Sequence, residues 1–135
     1  MNGCRAEDNQ AVGFYVGDHT ELKGCSAEGS VQQGARAGSY CRIIGNTFRN
    51  NSRFSSSYAG LWIEGSACRV EDNEATLNAY GVYVSGTDNI VVRNSCRANS
   101  AGNFSISAGN EAAPVISDPG SNAFATMTPW SNIAY

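Results

Sequence analysis

The chain has 135 residues with 41% hydrophobic content, which fits a single globular domain. Its formal net charge of −3 argues against a nucleic-acid partner, because such proteins carry a basic face. No apolar run reaches the roughly 18 residues that a membrane span needs, so no membrane partner is expected. The first residues carry no apolar signal-peptide core, so we expect a cytoplasmic location unless the chain belongs to a longer exported protein.

A glycine-led motif recurs along the chain and begins at Gly13, Gly34, Gly60, Gly81 and Gly102. The steps between these glycines are 21, 26, 21 and 21 residues. A fixed period of this size is typical of a solenoid, in which each repeat supplies one turn of a coil.

The same period aligns further residues in columns, which exclude a chance match of glycines. One column holds Ala6, Ala27, Phe48, Ala75 and Cys96; a second holds Cys4, Cys25, Asn46, Asn73 and Asn94; a third holds Asn9, Ser30, Asn51, Asn78 and Asn99. One insertion of about six residues, near residues 52–57, accounts for every longer step.

Each repeat contains short runs in which apolar residues alternate, which is the periodicity of β-strands. Gly and Asn between the runs predict corners, where left-handed backbone is easiest to form. Each 21-residue repeat therefore predicts three strands and three corners, with little helix. Five such rungs, about 4.8 Å apart, would stand roughly 20–25 Å tall. The expected core residues are Leu22, Ile43, Phe48, Leu61, Ile63, Val70, Val82, Val84 and Val91.

The pattern Asn73-x-Ala75-x-x-Asn78-x-x-Gly81 resembles the right-handed parallel β-helix repeats of the pectate-lyase-like superfamily, in particular the short Asn-rich repeats of its non-pectinolytic members. The resemblance covers residues 2 to about 109 and implies an all-β, right-handed parallel β-helix. It leaves function open, since the superfamily includes lyases, hydrolases, epimerases, phage tailspikes and inert scaffolds.

The sequence divides into two parts. Residues 1–109 predict the β-helix domain, with the inserted loop near 52–57, and residues 110–135 predict an extended tail. Pro114, Pro119 and Pro129 argue against central strands in the tail. Its apolar residues are Val115, Ile116, Phe124, Met127, Trp130, Ile133 and Tyr135. We expect the tail to pack on the coil or on a neighbouring subunit.

The outward positions of the opening strands are occupied by Tyr15, Arg36, Trp62 and Tyr83. Side chains alternate along a strand, so these four face out if their neighbours face the core. At a spacing of about 4.8 Å they predict a flat aromatic strip with a guanidinium against ring faces. Three interpretations stay open: a subunit interface, a sugar-binding platform, or ordinary stacking within a sheet.

Three more aromatic residues are candidates for ligand or subunit contact. Phe54 and Tyr58 lie in and beside the inserted loop, which either extends the strip or forms a plain surface bulge. Trp130 belongs to the tail.

The charged columns mix the two signs: Glu21 aligns with Arg42, and the aligned Glu7 and Glu28 are followed by Arg49. Such mixing is typical of solvated charge ladders. Lyases of the pectate-lyase-like superfamily, which the repeat resembles, instead group carboxylates on adjacent rungs to hold calcium. We therefore predict no catalytic residues, no metal and no cofactor. The alternative interpretation places catalysis at Asp18 and His19 or at Glu64.

The five cysteines are an odd number, so at least one thiol is unpaired within one chain. Cys4 aligns with Cys25, and Cys41 aligns with Cys68, on adjacent rungs. Disulfides need Cβ atoms about 3.8 Å apart, which is closer than strands in register place them. Buried free thiols are the favoured interpretation, and disulfides are the alternative.

Two classes of function remain. The first is a non-catalytic structural or binding module that forms a homo-oligomer, either a trimer or a dimer, or binds polysaccharide through the aromatic strip. The second is a carbohydrate-active enzyme, a lyase or hydrolase, or a remnant of one.

Overall fold

The computed structural model describes residues 1–52, 54–117 and 127–135. The strands in these ranges are β1 (Arg5–Glu7), β2 (Phe14–Val16), β3 (Glu21–Lys23), β4 (Ser26–Glu28), β5 (Ala35–Ala37), β6 (Arg42–Ile44), β7 (Thr47–Arg49), β8 (Ala59–Ile63), β9 (Arg69–Glu71), β10 (Glu74–Thr76), β11 (Tyr80–Val84), β12 (Ile90–Val92), β13 (Ser95–Arg97), β14 (Gly102–Ile106), β15 (Glu111–Ala112), β16 (Val115–Ser117) and β17 (Asn132–Ala134).

The strands stack into three parallel sheets that form the sides of a coil. Sheet 1 has the order β1-β4-β7-β10-β13-β17-β16, sheet 2 has β2-β5-β8-β11-β14, and sheet 3 has β3-β6-β9-β12-β15. The predicted all-β parallel coil is confirmed. It has about six turns rather than about five, because β16 and β17 continue sheet 1 beyond the regular repeats.

The core fills the inside of the coil with stacked apolar side chains. All nine residues predicted to form the core are fully buried, so the predicted inward register is confirmed. In sheet 3, for example, Leu22 pairs with Ile43, and Ile43 pairs with Val70. Burying one such side chain contributes about 1.5–3 kcal/mol, so the stacked columns are the main source of stability.

The three corners of each turn are made by residues with left-handed backbone, at φ angles from 48° to 84°. They form the columns Gly3, Gly24, Gly45, Asp72 and Arg93; Asp8, Gly29, Asn50, Leu77 and Ala98; and His19, Tyr40, Ala67, Asp88 and Gly109. Ten of these fifteen positions are not glycine. The expectation that Gly and Asn would make the corners is therefore only partly right. At most corners Asn is the residue that follows the left-handed one, and its side chain points inward.

The inward Asn side chains form ladders of hydrogen bonds along the coil. Asn73 Oδ1 accepts the backbone N–H of Asn46 at 3.0 Å and the Asn46 side-chain amide at 2.9 Å. The Asn73 amide in turn donates to the Ile43 carbonyl and to Asn94 Oδ1. The corner N–H groups along this ladder thus have acceptors, which avoids the cost of about 1–3 kcal/mol for an unmade hydrogen bond.

Two more ladders run along the other corners. One joins Asn51, Asn78 and Asn99, and the other joins Cys68, Asn89 and Asn110. Ser30 interrupts the first of these, because its side chain is too short to meet Asn9. The Asn9 Nδ2 and the buried Ser30 Oγ accordingly have no hydrogen-bond partner among the described residues.

The glycine period follows from the ladder that runs beside sheet 2. A Cβ atom added at Gly60 would lie 2.6 Å from Asn78 Nδ2, and one at Gly81 would lie 2.8 Å from Asn99 Nδ2. Gly34 meets Asn51 in the same way, at 2.7 Å. These three glycines of the period therefore each leave room for a ladder amide.

The tail adds strands to the end of the coil. β15 continues sheet 3, while β17 lies between β13 and β16 in sheet 1. The prolines of the tail do not lie within β17, so they do not prevent it from being a central strand. Pro119 and Phe124 of the predicted tail, and Arg53 of the predicted loop, lie outside the described residues.

We predict that shortening the ladder residue Asn78 to Ser lowers the free energy of unfolding by about 2–4 kcal/mol, because two donors of Asn51 lose their acceptor. The reverse change, Ser30→Asn, should add about 1 kcal/mol by giving Asn9 Nδ2 an acceptor. Urea denaturation measures both. An Asn78→Ser protein that unfolds at the urea concentration of the wild type would contradict the ladder.

We also predict that Gly45→Ala and Gly17→Ala differ in sign. Both sites have open space for a Cβ atom, but only Gly45 has a left-handed φ, of 63°. Gly45→Ala should cost about 1–2 kcal/mol, whereas Gly17→Ala should be neutral or stabilise by up to about 1 kcal/mol. Thermal melts that show equal shifts would refute the assignment of the corner.

Candidate binding surface

The four predicted outward residues form a single line across sheet 2, which we call the aromatic strip. Tyr15 on β2 pairs with Arg36 on β5, and Arg36 pairs with Trp62 on β8. Trp62 then pairs with Tyr83 on β11, and Ser105 on β14 ends the line. The alternation along these strands places the strip on the outside of the coil, opposite the core.

Arg36 is the central residue of the strip. Its guanidinium carbon lies 5.0 Å from the ring centroid of Trp62 and 5.8 Å from that of Tyr15, which is within cation–π range. The same group forms an ion pair with Glu64. The hydrogen bond to Glu64 raises the pKa of Arg36 above its usual value. Arg36 is thus held charged between two aromatic rings.

At the Trp62–Tyr83 end of the strip, the aromatic rings are tilted relative to each other rather than stacked flat. Trp62 and Tyr83 meet edge to face, with ring centroids 5.8 Å apart and planes at 68°. The Trp62 indole N–H donates to Ser85 Oγ at 2.9 Å, and this bond fixes the edge of its ring. The predicted flat stack is therefore wrong at this point, because a tilted pair brings a positive ring edge to a negative ring face.

Tyr80 joins the surface although the sequence pattern did not indicate it. Its ring centroid lies 5.7 Å from that of Tyr83. Alternation groups Tyr80 with the inward residues Val82 and Val84, but Tyr80 stands at the start of β11 and is half-exposed. Tyr80 pairs with Gly102 on the next rung, where a Cβ atom would lie 3.4 Å from the Tyr80 ring. The glycine at that position was the feature of the sequence that could have indicated an outward Tyr80.

The inserted loop borders a separate groove at the corner between sheets 1 and 2. The groove has a volume of about 630 Å³ and is lined by Asn50, Ser52, Phe54, Ser55, Leu77 and Ser100, among others. Phe54 is 80% exposed there. Tyr58 is half-buried, and its carbonyl accepts the Tyr80 N–H. Phe54 thus lines this groove and is not part of the aromatic strip.

Trp130 lies on another side of the coil. Its ring is 5.2 Å from the guanidinium carbon of Arg93, at the corner between sheets 3 and 1. Arg93 also forms ion pairs with Glu71 and Asp72. Trp130 therefore contributes to fixing the tail on its own chain and does not extend the aromatic strip.

The residues of the alternative catalytic interpretation all have structural partners. Asp18 Oδ1 accepts the backbone N–H of Ser39 at 2.7 Å. His19 stacks on Tyr40 with ring centroids 4.8 Å apart, and Glu64 is held by Arg36. Among the described residues, no three His, Cys, Asp or Glu side chains converge as a metal site would require.

The five cysteines are free thiols, and all except the exposed Cys4 are buried. The favoured interpretation of the Cys columns is therefore confirmed for Cys25, Cys41 and Cys68. Cys25 and Cys68 serve the ladders, since their sulfurs accept the backbone N–H of Cys4 and Cys41 respectively. Burial raises the pKa of Cys68 to about 11 and also raises that of Cys96.

The stacked parallel sheets define a β-solenoid. Residues 10–119 match the family described as right-handed beta helix region, so the chain belongs to the right-handed β-helix family. The predicted resemblance to the pectate-lyase-like superfamily fits this general kind of fold. Comparison with curated proteins and with solved structures gave no match. In the part of the chain that the structure describes, no helix is long and apolar enough to cross a membrane.

We predict that a thiol reagent at pH 8 modifies Cys4 rapidly and the other four cysteines only when the protein unfolds, because the reagent cannot reach buried thiols. Cys4→Ser should then show no rapid phase. Two or more rapidly reacting thiols in the native protein would contradict this arrangement.

The free energy of unfolding should fall as the pH rises from 9 towards 11, since the unfolded chain releases the Cys68 proton that the folded chain still holds.

Proposed function

We propose that this protein is a non-catalytic binding module of the right-handed β-helix family and that the aromatic strip is its contact surface for polysaccharide. The observation that carries the proposal is the line Tyr15-Arg36-Trp62-Tyr83, in which three rings and one charged group lie on one rigid sheet. Rings pack against the C–H faces of sugars, while charged groups and hydroxyls bond to sugar hydroxyls.

The strip is ordered before any ligand arrives, which supports binding. Arg36 contacts Tyr15, Trp62 and Glu64, and Trp62 is fixed by Ser85. Immobilising a mobile side chain on binding costs about 0.5–1.5 kcal/mol. A surface that is already ordered avoids most of this cost. Parallel strands also present these groups at a regular spacing, which suits a ligand with repeating units.

A second candidate function is self-association through the same strip, as a dimer or trimer. It is favoured by Tyr15, which is 66% exposed at the lower end of the strip. Exposed Tyr, Trp and Arg side chains are the types that contribute most to protein interfaces. A closed assembly would cover them.

The test compares Trp62→Ala with Tyr40→Ala on a glycan array. Tyr40 is a matched control because it is also an exposed aromatic residue, but it lies at a corner where the next rung carries Ala67. We expect Trp62→Ala to lose at least about tenfold in affinity for the polysaccharide bound by the wild type, and Tyr40→Ala to keep it. Melting temperatures confirm that both variants are folded.

The outcomes separate the candidates. No glycan binding by the wild type, or equal loss in both variants, would overturn the polysaccharide proposal. Light scattering that shows a dimer or trimer for the wild type and a monomer for Trp62→Ala would instead support self-association. Shortening of a bound polysaccharide would support the enzyme alternative.

A further inference from the structure

β17 occupies a place in sheet 1 that the repeat does not provide. Residues 115–117 of β16 keep the 21-residue spacing from β13, because Ile116 follows Ser95 by one period. Ile116 nevertheless pairs with Ile133 of β17, and Ile133 pairs with Ser95. The last strand of the chain is therefore inserted between two strands that the repeat would place side by side.

β17 supplies the hydrogen-bond acceptor that the repeat lacks on the rung after Asn94. The period places Val115 after Asn94 in the ladder, and a valine side chain cannot accept a hydrogen bond. Asn132 takes that position, and its Oδ1 accepts the Asn94 backbone N–H at 3.0 Å and its side-chain amide at 3.1 Å. The Asn132 amide donates to the carbonyls of Val91 and Ala113. Asn132 is fully buried.

Two arginines hold the ends of the inserted strand. The Arg93 guanidinium carbon lies 5.2 Å from the ring centroid of Trp130, and the Arg93 backbone N–H donates to the Trp130 carbonyl. Arg97 lies 5.6 Å from the ring of Tyr135. Arg93 precedes β13 and Arg97 is its last residue. The buried Asn132 amide thus has a cation–π contact before it in the chain, at Trp130, and one after it, at Tyr135.

We infer that the space between β13 and β16 is a strand-acceptor site that recognises the segment from Trp130 to Tyr135 and takes it from a second copy of the chain as well as from its own. The contacts of the site described above are all with residues 130–135, and a second copy offers the same residues. Twelve residues, 118–129, join β16 to this segment and set an upper limit of about 43 Å on its reach, so the segment can reach a neighbouring coil. Adding a strand to a sheet is a common mode of peptide recognition.

The site differs from the aromatic strip, so it does not depend on the proposed function. It predicts assembly by exchange of C-terminal strands, which places two coils together without a new surface. The segment within the chain has the advantage of proximity, equivalent to a high local concentration. Exchange should therefore appear when the contacts of the chain's own β17 are weakened.

The first experiment uses the full chain with Trp130→Ala and Tyr135→Ala, which weaken its own β17 and leave Asn94, Arg93 and Arg97 unchanged. A fluorescent peptide of residues 127–135 is added and its anisotropy is followed. We expect binding at least about tenfold tighter than that of the same peptide with Asn132→Leu, because only the former completes the ladder. Equal binding of the two peptides, or no binding of either, would overturn the inference.

A second experiment does not require that variant to fold. Two wild-type preparations with different affinity tags are mixed, warmed to just below the melting temperature and cooled. Exchange predicts that one tag then co-purifies the other, and that free peptide of residues 127–135 in excess prevents this. Tags that never co-purify, or co-purification that the peptide leaves unchanged, would count against a site for a second copy.

Discussion

The structure depends on one constraint: each buried N–H at a corner of the coil needs an acceptor inside the protein. The residue after most left-handed positions meets this need, as Asn73 does for Asn46. The same amide donates to the Ile43 carbonyl and to Asn94 Oδ1, so one side chain connects three rungs. Left-handed backbone at a residue other than glycine costs about 1–2 kcal/mol, and the ladder bonds offset that cost. The corners are therefore part of the core, in the same sense as the strands.

The ladder also determines where the exposed surface is free to vary. Gly60 and Gly81 leave space for ladder amides, and the inward residues that follow them pack in the core. The outward residue between two inward ones, Trp62 or Tyr83, neither makes room for the ladder nor packs in the core. Successive turns place these unconstrained positions in one line, which is how a repeat that serves only packing produces the aromatic strip.

The sequence predicts the columns well because each column has one fixed role: Leu22 and Ile43 pack inward, and Tyr15 and Arg36 face outward. It predicts less where contacts depend on side-chain angles, such as the tilt of Trp62 against Tyr83. Tyr80 was missed because alternation weakens at the first residue of a strand. The insertion of β17 was missed because Asn132 lies 38 residues after Asn94, outside the period of the repeat.

Native-state hydrogen exchange, resolved by residue, tests the central role of the ladders most directly. If the ladders belong to the cooperative core, the backbone amides of Asn46, Asn73 and Asn94 should exchange only through global unfolding, as the amide of Val70 in β9 should. Their protection should then fall together with that of Val70 as denaturant is added. Rapid exchange of the three ladder amides while Val70 stays protected would show that the corners open locally, and it would contradict this account.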